Sequence, residues 1–224
     1  LTSGFSDAGI DLGSNLMEFI PPKRVGLIKS DNSSPQRYGE IWHFFEQQLK
    51  YPITQINLNR LNDRNLDTFD VLILPPGYYN LFSDDDSGLL KWIQKGGRLV
   101  ALGSAIKSFA NQNAFNLKTK SMDDKPDKFV PYAELERNDI SSAIYGSIYS
   151  VNIDTTHPLA FGYDKNYFSL KNSATSYQIL SEGTVGNLPK ESKPLAGFSG
   201  SEAIKRQSES LIFGMENLGS GRVI

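Results

Sequence analysis

The feature that most constrains the fold of this chain is an apolar strand pattern that runs through a tight turn directly into a helical pattern. Residues 98–102 form the apolar run, Gly103 and Ser104 form the turn, and residues 105–110 carry the helical pattern. A turn of this kind lifts one side chain above the carboxyl edge of a parallel sheet, which is the geometry of a nucleophile elbow. The turn offers only Gly103 and Ser104, and the chain contains no cysteine. The sequence therefore predicts the scaffold of an enzyme without an evident attacking group.

Strand patterns alternate with helical patterns through the first half of the chain. The strand patterns lie at 24–29, 53–57, 70–74 and 98–102, and the helical patterns lie at 37–49 and 87–95. Such alternation predicts right-handed crossovers and an α/β fold with a mostly parallel central sheet. From residue 147 onward the pattern changes to short strands, which predicts a β-rich C-terminal extension of that sheet.

We divide the chain into a lead-in segment from a preceding domain, residues 1–20, and one domain, residues 21–224. Residues 118–139 are highly charged and predict a mobile surface insertion. The last residues, 219–224, begin a new strand pattern, so we expect the C-terminal end to be truncated.

Charge and composition argue against several classes of function. The 23 basic and 25 acidic residues give a formal net charge of −2, and no basic tract is present, so we expect no nucleic-acid partner. No apolar run approaches the roughly 20 residues of a membrane-spanning helix, so we expect no membrane span. The lack of cysteine excludes disulfides and thiolate chemistry.

Five stretches, in their order and spacing, resemble the class I glutamine amidotransferase-like superfamily, whose flavodoxin-like fold is a three-layer sandwich. The resemblance is closest to the domain that follows the catalytic domain in a group of large bacterial zinc carboxypeptidases. The stretches are Arg24–Ile28, Tyr38–His43, Phe69–Gly77, Trp92–Val100 and Thr156–Gly162.

This resemblance implies a non-catalytic relative. Active members of the superfamily carry a cysteine at the elbow, supported by a histidine and an acidic residue, and the matching position here falls on Gly103 or Ser104. The resemblance also implies that zinc belongs to the catalytic domain of the parent protein, that the present fragment holds no cofactor, and that the parent is exported to the periplasm or the extracellular space. The implied partner is the parent's own peptidase domain. A homo-oligomer of the chain is left open beside it.

Ser104 is the one residue of the turn with a nucleophilic atom, and a serine needs a neighbouring base. His157, which precedes Pro158, is the candidate base. The alternative is structural: Gly103 and Ser104 cap the following helix, because serine is a favourable N-cap residue.

The spacing of three residues matches the His-x-x-Glu…His zinc-ligand pattern of metallocarboxypeptidases. These residues are His43, Glu46 and His157. His43 and Glu46 lie within an amphipathic helical pattern rather than on a loop that leaves a sheet. We therefore expect no metal site at these residues.

Gly77, Tyr78 and Tyr79 follow a strand pattern directly into the expected crevice at the carboxyl edge. Exposed aromatic side chains there would bind a ligand or a partner. The alternative is that they pack on the loop after the elbow.

These observations predict a non-catalytic accessory domain of a bacterial zinc carboxypeptidase, a metallopeptidase whose peptide hydrolysis takes place elsewhere in the parent. The alternative is a serine hydrolase or a small-molecule-binding domain that uses the crevice around Ser104.

Overall fold

The chain folds into two β-sheets, which a computed structural model describes for residues 8–11, 13–82, 87–120 and 129–224. The strands are β1 (Val25–Lys29), β2 (Ile53–Asn57), β3 (Val71–Leu74), β4 (Arg98–Ala101), β5 (Ile144–Ile153), β6 (Asn166–Lys171), β7 (Tyr177–Gln178), β8 (Thr184–Asn187), β9 (Ala196–Ser199), β10 (Ser210–Gly214), β11 (Glu216–Leu218) and β12 (Gly221–Val223). The α-helices are α1 (Pro35–His43), which continues as a π-helical turn (Phe44–Leu49), α2 (Asp63–Leu66), α3 (Gly88–Gln94), α4 (Tyr132–Ser142) and α5 (Ser201–Gln207). Short 3₁₀ segments lie at Leu58–Arg60, Gly103–Ser108 and Pro158–Ala160.

The first sheet has the strand order β11-β12-β4-β3-β1-β2. All its neighbouring strands are parallel except β11 and β12, which form an antiparallel pair. The predicted α/β, flavodoxin-like architecture with a mostly parallel central sheet is therefore confirmed.

The second sheet is antiparallel and has the order β6-β5-β8-β10-β7, with β9 paired to β5. The β-rich C-terminal part was expected to extend the first sheet, and most of it instead forms this separate sheet. Only β11 and β12 return to the first sheet, where β12 pairs with β4. The difference arises because strand pairing depends on contacts between distant residues, which local patterns do not specify.

The main core lies on one face of the first sheet. Strand residues such as Leu72 and Leu99 are fully buried there against Trp92 and Ile93 of α3. Gly97 follows this helix, and a Cβ atom at residue 97 would lie 2.4 Å from the Trp92 ring. Glycine is therefore required where the chain enters β4, because only a bare backbone fits against the indole.

Helix α1 covers the opposite face of the first sheet. Ser34 is its N-cap and accepts a hydrogen bond from the Arg37 N–H, and Pro35 occupies the first turn, where its missing N–H is harmless. Ile41 and Phe45 then line an apolar groove with Ile73 of β3. Helices thus lie on both faces of the sheet.

The predicted insertion at 118–139 overlaps α4, which packs against α5 and has no buried residue. Residues 121–128 of that insertion lie outside the described residues. The described part of the lead-in segment contains no helix or strand. In the described ranges no helix is long and apolar enough to cross a membrane.

Candidate functional site

The elbow is present, and its strained position is occupied by glycine. The chain leaves β4 at Leu102 and turns at Gly103, whose φ of +57° lies in the left-handed region. The 3₁₀ segment that follows begins at Gly103 itself. A nucleophile elbow presents its attacking side chain from the residue held in such a strained turn. Gly103 therefore stands where the attacking group would be.

Pro76 occupies the space above this turn. A Cβ atom at residue 103 would lie 3.2 Å from Cγ and 3.4 Å from Cβ of Pro76. Contacts this short require the neighbouring ring to move by a few tenths of an ångström. Neither the residue at the turn nor its surroundings are arranged for a side chain.

Ser104 lies beside the turn and is half-buried. Its hydroxyl forms no hydrogen bond with any residue that the structure describes. The prediction that Gly103 and Ser104 cap the following helix is wrong, because Leu102 is the N-cap residue and no side chain caps this segment. The backbone tightens instead into a 3₁₀ segment.

The two histidines lie at the ends of other helical segments. His157 is the N-cap of the 3₁₀ segment that follows β5, and its Nδ1 accepts a hydrogen bond from the Leu159 N–H over 3.1 Å. His43 ends α1 as an exposed side chain. Neither imidazole is hydrogen-bonded to Ser104 in the described parts of the chain, so the candidate pair of Ser104 and His157 is not formed.

The three residues of the zinc-ligand pattern, His43, Glu46 and His157, do not form a metal site in the described structure either. Across the described residues there is no group of three histidine, cysteine, aspartate or glutamate side chains placed to hold a metal ion. His43 and Glu46 share one stretch of helix, whereas His157 follows a strand of the second sheet.

The loop after β3 places the two tyrosines proposed as ligand contacts in different environments, one exposed and one buried. Tyr79 is buried, and its hydroxyl donates a hydrogen bond to the Pro75 carbonyl over 2.8 Å. Burial raises the pKa of Tyr79 to about 12. Ser108, in the segment after the elbow, donates to the Tyr79 carbonyl over 2.9 Å. The Tyr79 residue therefore holds this loop against the segment after the elbow.

Gly77 is fixed by the same packing. A Cβ atom at residue 77 would lie 2.6 Å from the Asn32 carbonyl oxygen and 2.7 Å from the Tyr79 hydroxyl. The close approach of the loops after β1 and β3 therefore requires glycine.

Tyr78 is the exposed aromatic residue of the crevice, with 69% of its surface accessible. The Lys107 Nζ lies 5.4 Å from the centre of its ring, within the range of a cation–π contact. The Tyr78 N–H donates to the Asn32 carbonyl over 3.2 Å. This amide is therefore committed and does not serve as a free oxyanion donor.

An apolar cavity of about 200 Å³ opens beside the elbow, between the two sheets. Gly103 forms part of its wall, together with apolar residues from both sheets such as Phe109, Tyr177 and Phe213. The acidic residue in the wall is Glu216, whose Oε1 accepts hydrogen bonds from the backbone N–H and the side-chain amide of Asn116. The cavity is thus suited to an apolar group. Sequence reasoning missed it because its walls come from two separate parts of the chain, residues 100–117 and residues 177–224.

No protein-family model matches the chain, and no curated protein matches it significantly. Among solved structures, it is similar to a glutamine amidotransferase from Thermotoga maritima, with a TM-score of 0.51 and 10% identity over 92% of this chain and 75% of that chain. A second similar structure is the mmIFT52 N-terminal domain, with a TM-score of 0.47 and 12% identity over 89% of this chain and 83% of that chain. At 10% identity the first likeness establishes the fold, which is that of the class I glutamine amidotransferases.

Proposed function

We propose that this chain is a non-catalytic accessory domain of a bacterial zinc carboxypeptidase, and that it packs on and orients the peptidase domain of its parent. The observation that carries the non-catalytic part is the elbow, where the left-handed position holds Gly103. Amide or ester hydrolysis on this fold needs an attacking side chain and a base to take its proton. Gly103 supplies no attacking atom, and Ser104 has no hydrogen-bonded base among the described residues.

The parental context is supported by the resemblance of the five sequence stretches quoted above. In this proposal zinc and peptide hydrolysis belong to the parent's catalytic domain, and the parent is exported to the periplasm or the extracellular space. The chain itself then needs no cofactor, because its task is to supply a surface.

The non-catalytic part is tested with a fluorophosphonate probe and with hydrolysis assays on glutamine, a short ester and a short peptide. We expect no labelling and no hydrolysis beyond those of a Ser104→Ala variant. Labelling or turnover that Ser104→Ala abolishes would show an active serine and end this part of the proposal.

The parental part is tested by sequencing the coding region upstream of Leu1. A zinc carboxypeptidase catalytic domain in the same reading frame supports the proposal. A reading frame that encodes a different class of protein, or none, contradicts it.

A second candidate function is the binding of a small apolar molecule, which the cavity beside the elbow favours. The test is isothermal titration with benzene and indole, compared with an Ala101→Leu variant that fills the cavity wall. Binding by the wild type that the filled variant loses would favour a ligand-binding domain over a purely structural one.

A further inference from the structure

The outer face of the second sheet carries an apolar patch, which we call the outer patch. It consists of Tyr145, Ile148, Phe168, Leu170 and Phe198, whose exposed fractions lie between 39% and 71%. The neighbouring residues of β5 point to the other face, where Tyr149 and Val151 are fully buried. The alternation of β5 thus places one set of side chains in a core and the other set in solvent.

The members of the outer patch are contiguous. Ile148 of β5 lies directly opposite Leu170 of β6. On its other side Ile148 lies opposite Ala196 of β9, the strand that carries Phe198. The Phe198 ring stacks on Tyr145 with 6.1 Å between ring centres. The patch is therefore one surface that spans three strands.

β6 is also an edge strand, because within the described residues it pairs only with β5. Natural edge strands are usually protected from further pairing by a charge, a proline or a bulge. Residues 167–170 of β6 are Tyr-Phe-Ser-Leu, which contain no charge and no proline. The strand ends at Lys171, whose Nζ donates a hydrogen bond to the Thr175 carbonyl and is therefore turned away from the open edge. The edge is open to another strand.

We propose that two copies of this chain associate by antiparallel pairing of their β6 strands about Ser169, which joins their second sheets into one continuous sheet. The inference rests on the proposed function insofar as an accessory domain acts through its surface. A two-fold axis perpendicular to the sheet relates the copies, so residues of the same face lie opposite each other. Side chains of the same face are opposite each other only if the axis passes between the two copies of one residue, which then faces itself across the pair. We call this a register centred on that residue.

Charge and apolar complementarity select the register centred on Ser169. In this register Phe168 lies opposite Leu170 of the second copy, and Leu170 lies opposite its Phe168. Tyr167 lies opposite Lys171, so no like charges meet. A register centred on Phe168 would set Lys165 opposite Lys171, and like charges directly opposite destabilise a strand pair.

A register centred on Tyr167 is also unfavourable. It would set Asp164 opposite Leu170 and Asn166 opposite Phe168, so each apolar side chain would face a polar one. The sequence of β6 is therefore complementary to itself in the register about Ser169.

Two members of the outer patch, Phe168 and Leu170, lie on β6 itself and contact the second copy in this register. Pairing of the two edges leaves the outer faces side by side, so the other three members stay on one continuous apolar surface and outside the interface. The interface therefore consists of the backbone hydrogen bonds and side chains of β6, and it is smaller than the about 800 Å² per partner of standard-size interfaces.

The association is tested by sedimentation of the whole chain at about 1–100 µM. Phe168→Lys places a charge on the edge strand, and Phe161→Lys is the matched control, because Phe161 is 93% exposed and lies outside the outer patch. We expect a dimer whose dissociation constant rises at least tenfold in Phe168→Lys and is unchanged in Phe161→Lys. A monomer at all concentrations, or a dimer that Phe168→Lys leaves intact, overturns the proposal.

The register is tested by disulfide cross-linking, which is unambiguous because the chain has no cysteine. Two Ser169→Cys side chains would face each other with Cβ atoms about 5 Å apart. Two Asn166→Cys side chains would lie about 20 Å apart along the paired strands. Covalent dimers of Ser169→Cys alone support the proposal. Failure of Ser169→Cys to cross-link, or equal cross-linking of Asn166→Cys, overturns it.

These results are separable from those of the hydrolysis assays. A monomeric chain that is inert toward the fluorophosphonate loses only the dimer proposal. A dimeric chain with activity that depends on Ser104 loses only the proposed function.

Discussion

Replacing Gly103 by alanine tests whether the elbow backbone is held in the left-handed conformation. A residue with a Cβ atom costs about 1–2 kcal/mol in that conformation. Alanine also restricts the unfolded chain, which offsets the cost by about 0.4–1 kcal/mol. The 3.2 Å approach to the Pro76 ring adds a further unfavourable contact. We therefore expect Gly103→Ala to lower the free energy of unfolding by about 1 kcal/mol.

Gly39→Ala is the matched control, because it makes the same chemical change where the backbone is helical. Gly39 lies inside α1, and a Cβ atom there would meet nothing within 4 Å. Alanine in a helix interior is more favourable than glycine by about 0.5–1 kcal/mol, so this variant should be more stable than the wild type. The two variants should differ by about 2 kcal/mol and with opposite signs.

Urea unfolding followed by far-ultraviolet circular dichroism measures both variants. With a urea dependence of about 2 kcal/mol per molar, the two midpoints should be separated by about 1 M. If Gly103→Ala unfolds at the wild-type midpoint or above it, the elbow does not require a left-handed residue. The assignment of Gly103 to the attacking position would then lose its structural basis.

Three further predictions concern the elbow and two charged groups. Gly103→Cys should react with iodoacetamide as an ordinary thiol and should hydrolyse no glutamine in an ammonia-release assay, because no imidazole is hydrogen-bonded at the turn; glutamine hydrolysis by this variant would show that a base is in reach. Burial lowers the pKa of Lys171 to about 8, so between pH 8 and 10 the unfolded chain binds more protons than the folded one. The free energy of unfolding should therefore rise with pH over that interval in urea titrations, and Lys171→Met should remove the rise. Hydrogen bonds from the side chain and the backbone N–H of Arg24 lower the pKa of Asp70 to about 2, so their stabilising contribution should be lost as the pH falls from 4 to 2; Asp70→Asn should show a flatter acid profile in thermal unfolding.

The sequence predicted the centre of the parallel sheet well because β1, β3 and β4 are short, mostly apolar runs. The pattern at 70–74, for example, became β3 at Val71–Leu74. β6 was not predicted. Its apolar side chains Phe168 and Leu170 are exposed, so the strand does not show the usual alternation of buried apolar and exposed polar residues. β6 is specified instead by its antiparallel pairing with β5, the strand that precedes it.

At the candidate site the sequence established which chemical groups are present but not how the backbone holds them. The sequence did not decide whether Gly103 or Ser104 occupies the strained position. The positive φ angle of Gly103 assigns that position to Gly103. The adjacent residues Tyr78 and Tyr79 looked equivalent, yet one is exposed and the other is buried beneath the loop. Side chains on successive residues of an irregular loop follow no period, so sequence spacing carries no information about their exposure.

The return of β12 to β4 has a consequence for synthesis on the ribosome. All strands of the second sheet lie between these two partners in the chain, so β4 emerges long before the strand that covers its free edge. At about 5–20 residues per second, the nascent chain carries β4 unpaired on that side for roughly ten seconds. The strands of the second sheet emerge during this time, and the parallel sheet closes last, when β12 leaves the exit tunnel. Chaperones that shield apolar strands would act on the nascent chain in this interval.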